Sequence, residues 1–280
     1  MRFFVIIIFL LVYSCDLQAQ TSSAKWKAME AEGDTLLNIQ DFTGAIKIYN
    51  KVVELSKLKD TESKGVLYNR AICFYSTGEF QKALDDLNAF ILEYPSVPRA
   101  KLLRAFINKE LGDTKSQLAD INELLLLSPS NPDLLIFKAN IFLENEEYKE
   151  AKQELLMLQK LTNNEEIEAQ LGFIYANLNE PDSAFIHLDA ALTINGGYSP
   201  AYMYISSLCL EQEAYSMALT YIDLGLRLDP ENQQLLFFKG ISLAESENLQ
   251  DGCRLLSKVF YAGMDQAADY LKQYCYNAKD

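Results

Sequence analysis

Apolar and polar residues alternate along this chain with the period of a one-faced helix, and the helical stretches come in pairs. Ser199–Pro230 (SPAYMYISSLCLEQEAYSMALTYIDLGLRLDP) shows the pattern most clearly. Apolar side chains recur three and four residues apart in two successive stretches, parted by the polar Glu211-Gln212-Glu213. That spacing predicts two amphipathic helices joined by a short turn. A small residue sits near the middle of each, Ser206 in the first and Ala218 in the second, where facing backbones must approach. Tyr215 opens the second helix, Ile222 returns toward the first, and Asp229-Pro230 ends the pair.

The same pattern recurs. The small residue of the first helix falls at Gly33, Ala71, Ala105, Ala139, Gly172, Ser206 and Gly240, with gaps of 38, 34, 34, 33, 34 and 34. That of the second helix falls at Ala45, Ala83, Gln117, Ala151, Ala184, Ala218 and Gly252, with the same gaps. Four residues later comes a larger residue each time: Tyr49, Leu87, Ile121, Leu155, Leu188, Ile222 and Leu256. Small residues let two helices close together while larger ones fill the ridges and grooves around them. Gln117 is the misfit, either a soft spot or the start of a local polar contact.

A period of this length and phasing resembles the tetratricopeptide repeat, in seven copies over about residues 26 to 264. The resemblance implies an all-α fold, a right-handed α-solenoid of seven helix-turn-helix units closed by a C-terminal capping helix. The units are placed at 26–59, 64–97, 98–131, 132–164, 165–198, 199–232 and 233–264, with a longer connection from Leu58 to Ser63. One helical pair cannot bury its apolar face alone, so neighbours share a core and the last unit needs a cap. Residues 265–280 supply that cap, with Ala267, Ala268, Leu271 and Tyr274 as its buried face. Pro95, Pro129 and Pro230 close three units; the fifth closes at Asn195-Gly196-Gly197, where glycine suits a left-handed helix end. Pro181 and Asp182 suit the first turn of a helix.

Composition adds constraints. Apolar residues make up 49% of the chain, enough for a packed core, and the net charge is −14. An acidic surface argues against nucleic acid and anionic membranes as partners. It keeps a helical array soluble, or it faces a basic partner.

The first 19 residues read as a targeting segment. Arg2 precedes the apolar run Phe3–Tyr13, too short for a spanning helix, which needs about 20 residues, and suited to the core of a signal peptide. Cleavage after Ala19 would start a soluble chain at Gln20, and this exit is preferred. The alternative is lipoprotein processing at 1–14: Val12-Tyr13-Ser14-Cys15 resembles the lipobox of bacterial lipoproteins and would leave a lipid anchor on Cys15. Both readings place the protein outside the cytoplasm, in the periplasm or at the outer membrane. Residues 20–25 read as a disordered lead, and no other run reaches transmembrane length.

Candidate chemistry is sparse. His187 is the one histidine, which excludes a His-pair zinc site. No GxSxG elbow accompanies it, and it reads as an ordinary polar helix residue. The turns Thr77-Gly78-Glu79 and Leu111-Gly112-Asp113 join helices and are no phosphate loops. Acidic pairs such as Glu165-Glu166 suit helix starts. No catalytic residue, metal ligand or cofactor site emerges. Cys73 and Cys209 lie among apolar neighbours and read as buried hydrophobes. Cys253 and Cys275 lie on the last two helices, antiparallel about a turn near Gly263. In that arrangement 253 falls opposite roughly 272, so an exported chain would be able to pair them. The ending of the chain also resembles C-terminal tails of other exported bacterial tetratricopeptide proteins.

The family resemblance implies that first helices line a binding groove. Carried over by repeat position, the groove takes Tyr68, Asn69, Ile72 and Tyr75 from the second unit, and Leu102 and Phe106 from the third. It takes Ile136, Asn140 and Leu143 from the fourth, Phe173 and Asn177 from the fifth, Met203, Tyr204 and Ser207 from the sixth, and Phe237 and Ile241 from the seventh. Aromatic anchors with amides suit an extended peptide or a helix laid in a groove. Some family members clamp a peptide C-terminal carboxylate with lysine and asparagine. The matching positions here, Glu30, Asp34, Leu102 and Phe106, are acidic or apolar and unsuited to it. The expected role is therefore a non-catalytic scaffold or adaptor of the bacterial cell envelope that binds a protein or peptide without cofactor. The alternatives are an envelope module for glycans or peptides, or an accessory subunit of an enzyme complex.

Overall fold

The computed structural model describes residues 24–58, 64–246 and 248–276. The candidate signal segment, Cys15, most of the lead and residues 277–280 lie outside them. The described residues are helix, turn and connection, with no strand among them, and they fall into two compact units, one up to Pro129 and one from Ser130.

The first unit contains α1 over 24–38, α2 (Phe42–Ser56), α3 (Val66–Ser76), α4 (Phe80–Glu93), α5 (Pro98–Glu110) and α6 (Thr114–Leu127). The second contains α7 (Pro132–Glu144), α8 (Tyr148–Leu161), α9 (Glu165–Asn177), α10 (Pro181–Ile194), α11 (Ser199–Glu211), α12 (Tyr215–Leu228), α13 (Gln233–Glu245) and α14 (Leu249–Tyr261). A short α15 (Ala267–Tyr270) then opens into a π-helical turn over Leu271–Tyr276.

Local chemistry explains the helix ends. Side chains of Asp41, Asp113, Asn131, Asn164 and Asn232 accept the backbone N–H three residues on, capping α2, α6, α7, α9 and α13. Prolines occupy the first turns of α5, α7, α10 and α11, where no N–H is needed. The turn inside the first six pairs is a repeated device. Gln40, Gly78, Gly112, Glu146, Asn179 and Glu213 all have positive φ, between 57° and 77°. The next residue's N–H bonds a carbonyl five residues back, as in Glu79 to Phe74 at 2.8 Å and Ala214 to Cys209 at 2.8 Å. This left-handed closure satisfies carbonyls that the helix end would otherwise orphan. Four of the six carry side chains into a region that costs them about 1–2 kcal/mol, and only glycine enters it freely.

Packing follows the repeat. The small residues Ala71, Ala105, Ala139 and Ser206 are fully buried, as are Ala45, Ala83, Ala151, Ala184 and Ala218. The seven larger residues from Tyr49 to Leu256 named above are fully buried as well. Space at these crossings is tight. A Cβ on Gly172 would lie 2.5 Å from Leu188 Cγ, and one on Gly252 would lie 2.7 Å from the backbone nitrogen of Ala244. Gln117 is buried at an alanine position, and its Nε2 finds no hydrogen-bond partner. It is the soft spot rather than a polar contact.

Three local expectations are corrected. Ala24 and Lys25, placed in the disordered lead, are already helical, because Trp26 is buried in the first unit's core and holds the start of α1. Gly196 and Gly197 do not adopt the left-handed conformation. The chain stops there because Asn195 Oδ1 accepts from Gly197 N at 3.0 Å, a side-chain turn that needs no positive φ. The cap is not a regular α-helix throughout, because it passes into a π-turn at Leu271. Of its expected buried face, Ala267 and Leu271 are buried and Tyr274 is half-buried, while Ala268 is exposed.

Cys253 on α14 and Cys275 in the π-turn are joined by a disulfide, with Cα atoms 5.8 Å apart and a sequence separation of 22. A bridge over a loop of this length restricts the unfolded chain and typically stabilises by about 2–4 kcal/mol.

Reductant should therefore lower the thermal midpoint of the wild type and leave a Cys253→Ser, Cys275→Ser variant unmoved; equal midpoints for the oxidised and reduced wild type would contradict the staple. Gly252→Ala should cost about 1–3 kcal/mol by overpacking, whereas Gly196→Ala, whose Cβ would meet nothing nearer than 3.7 Å, should leave the midpoint in place.

Candidate functional site

The expected binding positions lie on first helices, and their environments differ. In α3, Tyr68, Ile72 and Tyr75 fall on one face at helical spacing and are half-buried. The Tyr68 ring packs on Phe90 at 5.3 Å, and the Arg99 guanidinium lies 5.2 Å from its centroid. Tyr75 packs on Phe80 at 5.8 Å. On α5, Leu102 is half-buried and Phe106 is 38% exposed. Asn69 is not free for a ligand, because its Nδ2 donates to Asp34 Oδ1 at 2.9 Å. The same oxygen accepts from Tyr49 O–H at 2.7 Å. Asp34 thus ties α1, α2 and α3 together. Burial and this carboxylate together push the Tyr49 phenol well above its ordinary pKa.

In the second unit Ile136, Asn140 and Leu143 are half-buried on α7. Phe173 of α9 packs edge-on to Tyr148 at 6.1 Å and tilts onto Tyr204 at 5.2 Å. Tyr204, with Met203 and Ser207 beside it on α11, remains half-buried, and burial raises its phenol pKa. Asn177 is exposed, and its Nδ2 donates to the Phe173 carbonyl of its own helix at 2.8 Å. Phe237 and Ile241 are 4% and 8% exposed. The expectation that they line an open groove is corrected: Tyr270 of the cap stands edge-on to Phe237 at 5.2 Å, and both residues belong to the core beneath it.

A ladder of buried charges escaped the sequence reading. Arg70 Nε and Nη2 donate to both oxygens of Asp86, each at 2.7 Å, and Nη1 donates to Asn50 at 2.9 Å. One repeat later Arg104 does the same with Asp120, at 2.9 and 2.7 Å, and reaches Asn88 at 2.8 Å. Each arginine thus clasps the second helix of its own pair and the second helix of the preceding pair. Burial, the larger influence, holds the Asp86 carboxyl above its usual pKa against the pull of Arg70. In the second unit Lys138 and Glu154 form the pair at 2.7 Å. The polarity then reverses: Glu168 of α9 meets His187 Nδ1 of α10 at 2.7 Å and accepts from Gln159 of α8 at 2.8 Å. His187 also stacks on Tyr175 at 5.0 Å. Its imidazole is part of this packing. The signal in the sequence was the spacing of 34 in Arg70, Arg104 and Lys138 and in Asp86, Asp120 and Glu154, each immediately before a repeat-defining position.

Cys73 and Cys209 are buried thiols, and burial pushes both up to a pKa of about 11, which disfavours the nucleophilic thiolate. Among the described residues no group of three or more His, Cys, Asp and Glu is placed to hold a metal ion. No described helix is long and apolar enough to cross a membrane.

Comparison with known proteins gives the context. The tetratricopeptide repeat family model matches residues 66–96, the span of α3 and α4. Sperm-associated antigen 1 of Homo sapiens is 25% identical over 113 residues, 40% of this chain. The match spans only 12% of that protein's length. Among solved structures, the C-terminal part of a tetratricopeptide repeat-containing protein from Cytophaga hutchinsonii superposes with a TM-score of 0.69 at 13% identity, covering 86% of this chain and 98% of that one. A tetratricopeptide repeat protein from Parabacteroides merdae gives a TM-score of 0.63 at 14% identity, over 88% and 97% of the two chains. These likenesses establish the fold.

The Arg104–Asp120 pair should behave as a coupled unit. Removing Arg104 leaves Asp120, its side chain 3% exposed, as an unpaired buried carboxylate. In a double-mutant cycle of Arg104→Ala and Asp120→Ala, read by denaturant unfolding, a coupling energy of about 0.5–3 kcal/mol is expected, and additive losses would contradict it.

Proposed function

We propose, from the likeness of its helix pairs to tetratricopeptide repeat proteins, a fold that binds protein or peptide partners, that this chain is a non-catalytic scaffold of the bacterial cell envelope. It holds another polypeptide on the first-helix faces of its pairs. The observation that carries the reading is that large aromatic and aliphatic side chains on these faces stay partly open to solvent. Tyr68, Ile72, Tyr75 and Phe106 do so in the first unit, and Phe173, Met203 and Tyr204 in the second. Side chains required only for stacking would be buried like Leu87 and Leu188. Rigid aromatic anchors with a few polar neighbours favour a peptide or helix over a small ligand. Placement in the envelope rests on the apolar leader and its two exits, Ala19 and Cys15, and the disulfide suits an oxidising compartment.

The test is crosslinking in intact cells followed by mass spectrometry of bait and prey. A reproducible envelope protein should be recovered with the wild type and reduced with Tyr68→Ala or with Tyr204→Ala, while the bait's N-terminal peptide starts at Gln20 or carries acylated Cys15. Prey recovery unchanged by both substitutions would refute the first-helix faces as the binding surface.

A further inference from the structure

The second unit holds a cleft of about 430 Å3 between α11, the start of α12, α13 and the cap. Its walls are largely aromatic, and the buried Phe237 and Ile241 offer only a small part of their surface to it. Phe237 lies against Tyr270 at 5.2 Å and beside Phe238 at 6.0 Å, and Tyr270 continues onto Tyr274 at 6.2 Å. Tyr215 adds a further ring. Three carboxylates, Glu211, Glu213 and Glu245, share the lining, and no lysine, arginine or histidine does. Tyr274 O–H donates to Glu245. Glu211 and Glu213 are exposed and make no ion pair among the described residues.

The clefts of the first unit differ in this respect. One of about 480 Å3 sets Arg70 and Lys82 among its acids, and one of about 260 Å3 sets Arg104 among its own. There the chain supplies the cations; beside the cap it does not. Three carboxylates without a counter-charge, set against low-dielectric aromatic walls, focus a negative potential into the cleft. Burial first, then the hydrogen bond to Glu245 and that carboxylate's charge, raises the pKa of Tyr274, and burial, Glu245 and Glu213 raise that of Tyr215. A second depression of about 590 Å3 shares Glu213, Tyr215 and Glu245 and extends to Met217, which is 45% exposed.

We propose that this cleft receives a lysine or arginine side chain of a polypeptide partner, with the partner's neighbouring residues laid past Tyr215 toward Met217. The proposal rests on the scaffold reading and adds the charge of what is bound. Aromatic faces attract a cation within about 6 Å of the ring centre, and carboxylates at the rim complete its neutralisation. A guanidinium fits best, since it both stacks on the rings and forks to carboxylates. A second copy of this chain fits poorly, because two molecules of net charge −14 repel. A free small cation would leave the depression beside Met217 unfilled.

The test uses the full chain and short fluorescein-labelled peptides of alanine, leucine and serine carrying two arginines, two citrullines or two glutamates, read by fluorescence anisotropy. The arginine peptide should bind, and the other two should not. Glu211→Gln with Glu213→Gln and Glu245→Gln should weaken it by about tenfold or more without moving the thermal midpoint. Neutralising three exposed acids elsewhere, Glu54, Glu110 and Glu150, should leave binding in place. Absence of arginine-peptide binding, or equal losses in the two triple variants, would overturn the proposal. Spermidine binding as tightly as the peptide would overturn the polypeptide as occupant, and self-association lost only in the cleft variant would replace it with a second copy. The crosslinked prey separates the two readings: prey retained by the cleft variant but lost on Tyr204→Ala leaves the scaffold standing and removes the cleft.

Discussion

Everything in this fold depends on how closely two helices of a pair approach at their small residues. Where Gly172 faces Leu188, or Gly252 faces Ala244, there is no room for one more carbon. That closeness decides which residues can be large, because the side chain four positions on must fill the space left beside the crossing. It also sets the turn: a pair this tight needs a left-handed residue to reverse the chain, and the structure places one at the same repeat position even where the residue is Glu146 or Glu213. Dispersion and apolar burial reward such close packing, and the interior tolerates few errors of volume. Gln117 is the visible exception, buried with an unpaired amide nitrogen.

Apolar packing alone would not specify which helix lies beside which, since every pair presents a similar face. The buried ladder supplies that discrimination. Arg70 and Arg104 each bind an acid on their own pair and an asparagine on the preceding one, so a slipped register would strand a charge in a dry place. In the second unit the role passes to Lys138 with Glu154 and then to Glu168 with His187 and Gln159, with acid and base exchanged between helices. The physical requirement is a counter-charge for the buried acid at that position, and either polarity meets it, even where Glu154 Oε2 is left without a hydrogen bond.

The same economy separates residues that stabilise from residues that remain available. Asn69 sits at an expected groove position, yet it donates to Asp34, which also accepts from Tyr49. Phe237 and Ile241 sit at groove positions, yet the cap covers them. What stays open is the aromatic and aliphatic series from Tyr68 to Tyr204 and, beside the disulfide-held cap, a cleft whose acids have no basic residue in its lining. Both features suit a protein that acts by holding another.

Local periodicity was enough to read the helix pairs, because the small-to-large alternation reflects a crossing that recurs every 34 residues and leaves its mark on each copy. It also foresaw the buried cysteines, and counting along two antiparallel helices placed Cys253 near Cys275. Charge pairing left only a spacing of 34 as its trace, and Arg70 and Asp86 look like ordinary surface residues until two helices enclose them. The fate of the last groove positions was not legible. A residue on a first helix is exposed or buried according to what lies over it, and only the tertiary structure shows that the cap turns into a π-helix, exposes Ala268 and lays Tyr270 across Phe237. Sequence therefore determined which residues pack within a pair, a matter of spacing along the chain. Tertiary structure decided which charges are paired and which surface is left open, because those depend on neighbours brought together from distant positions.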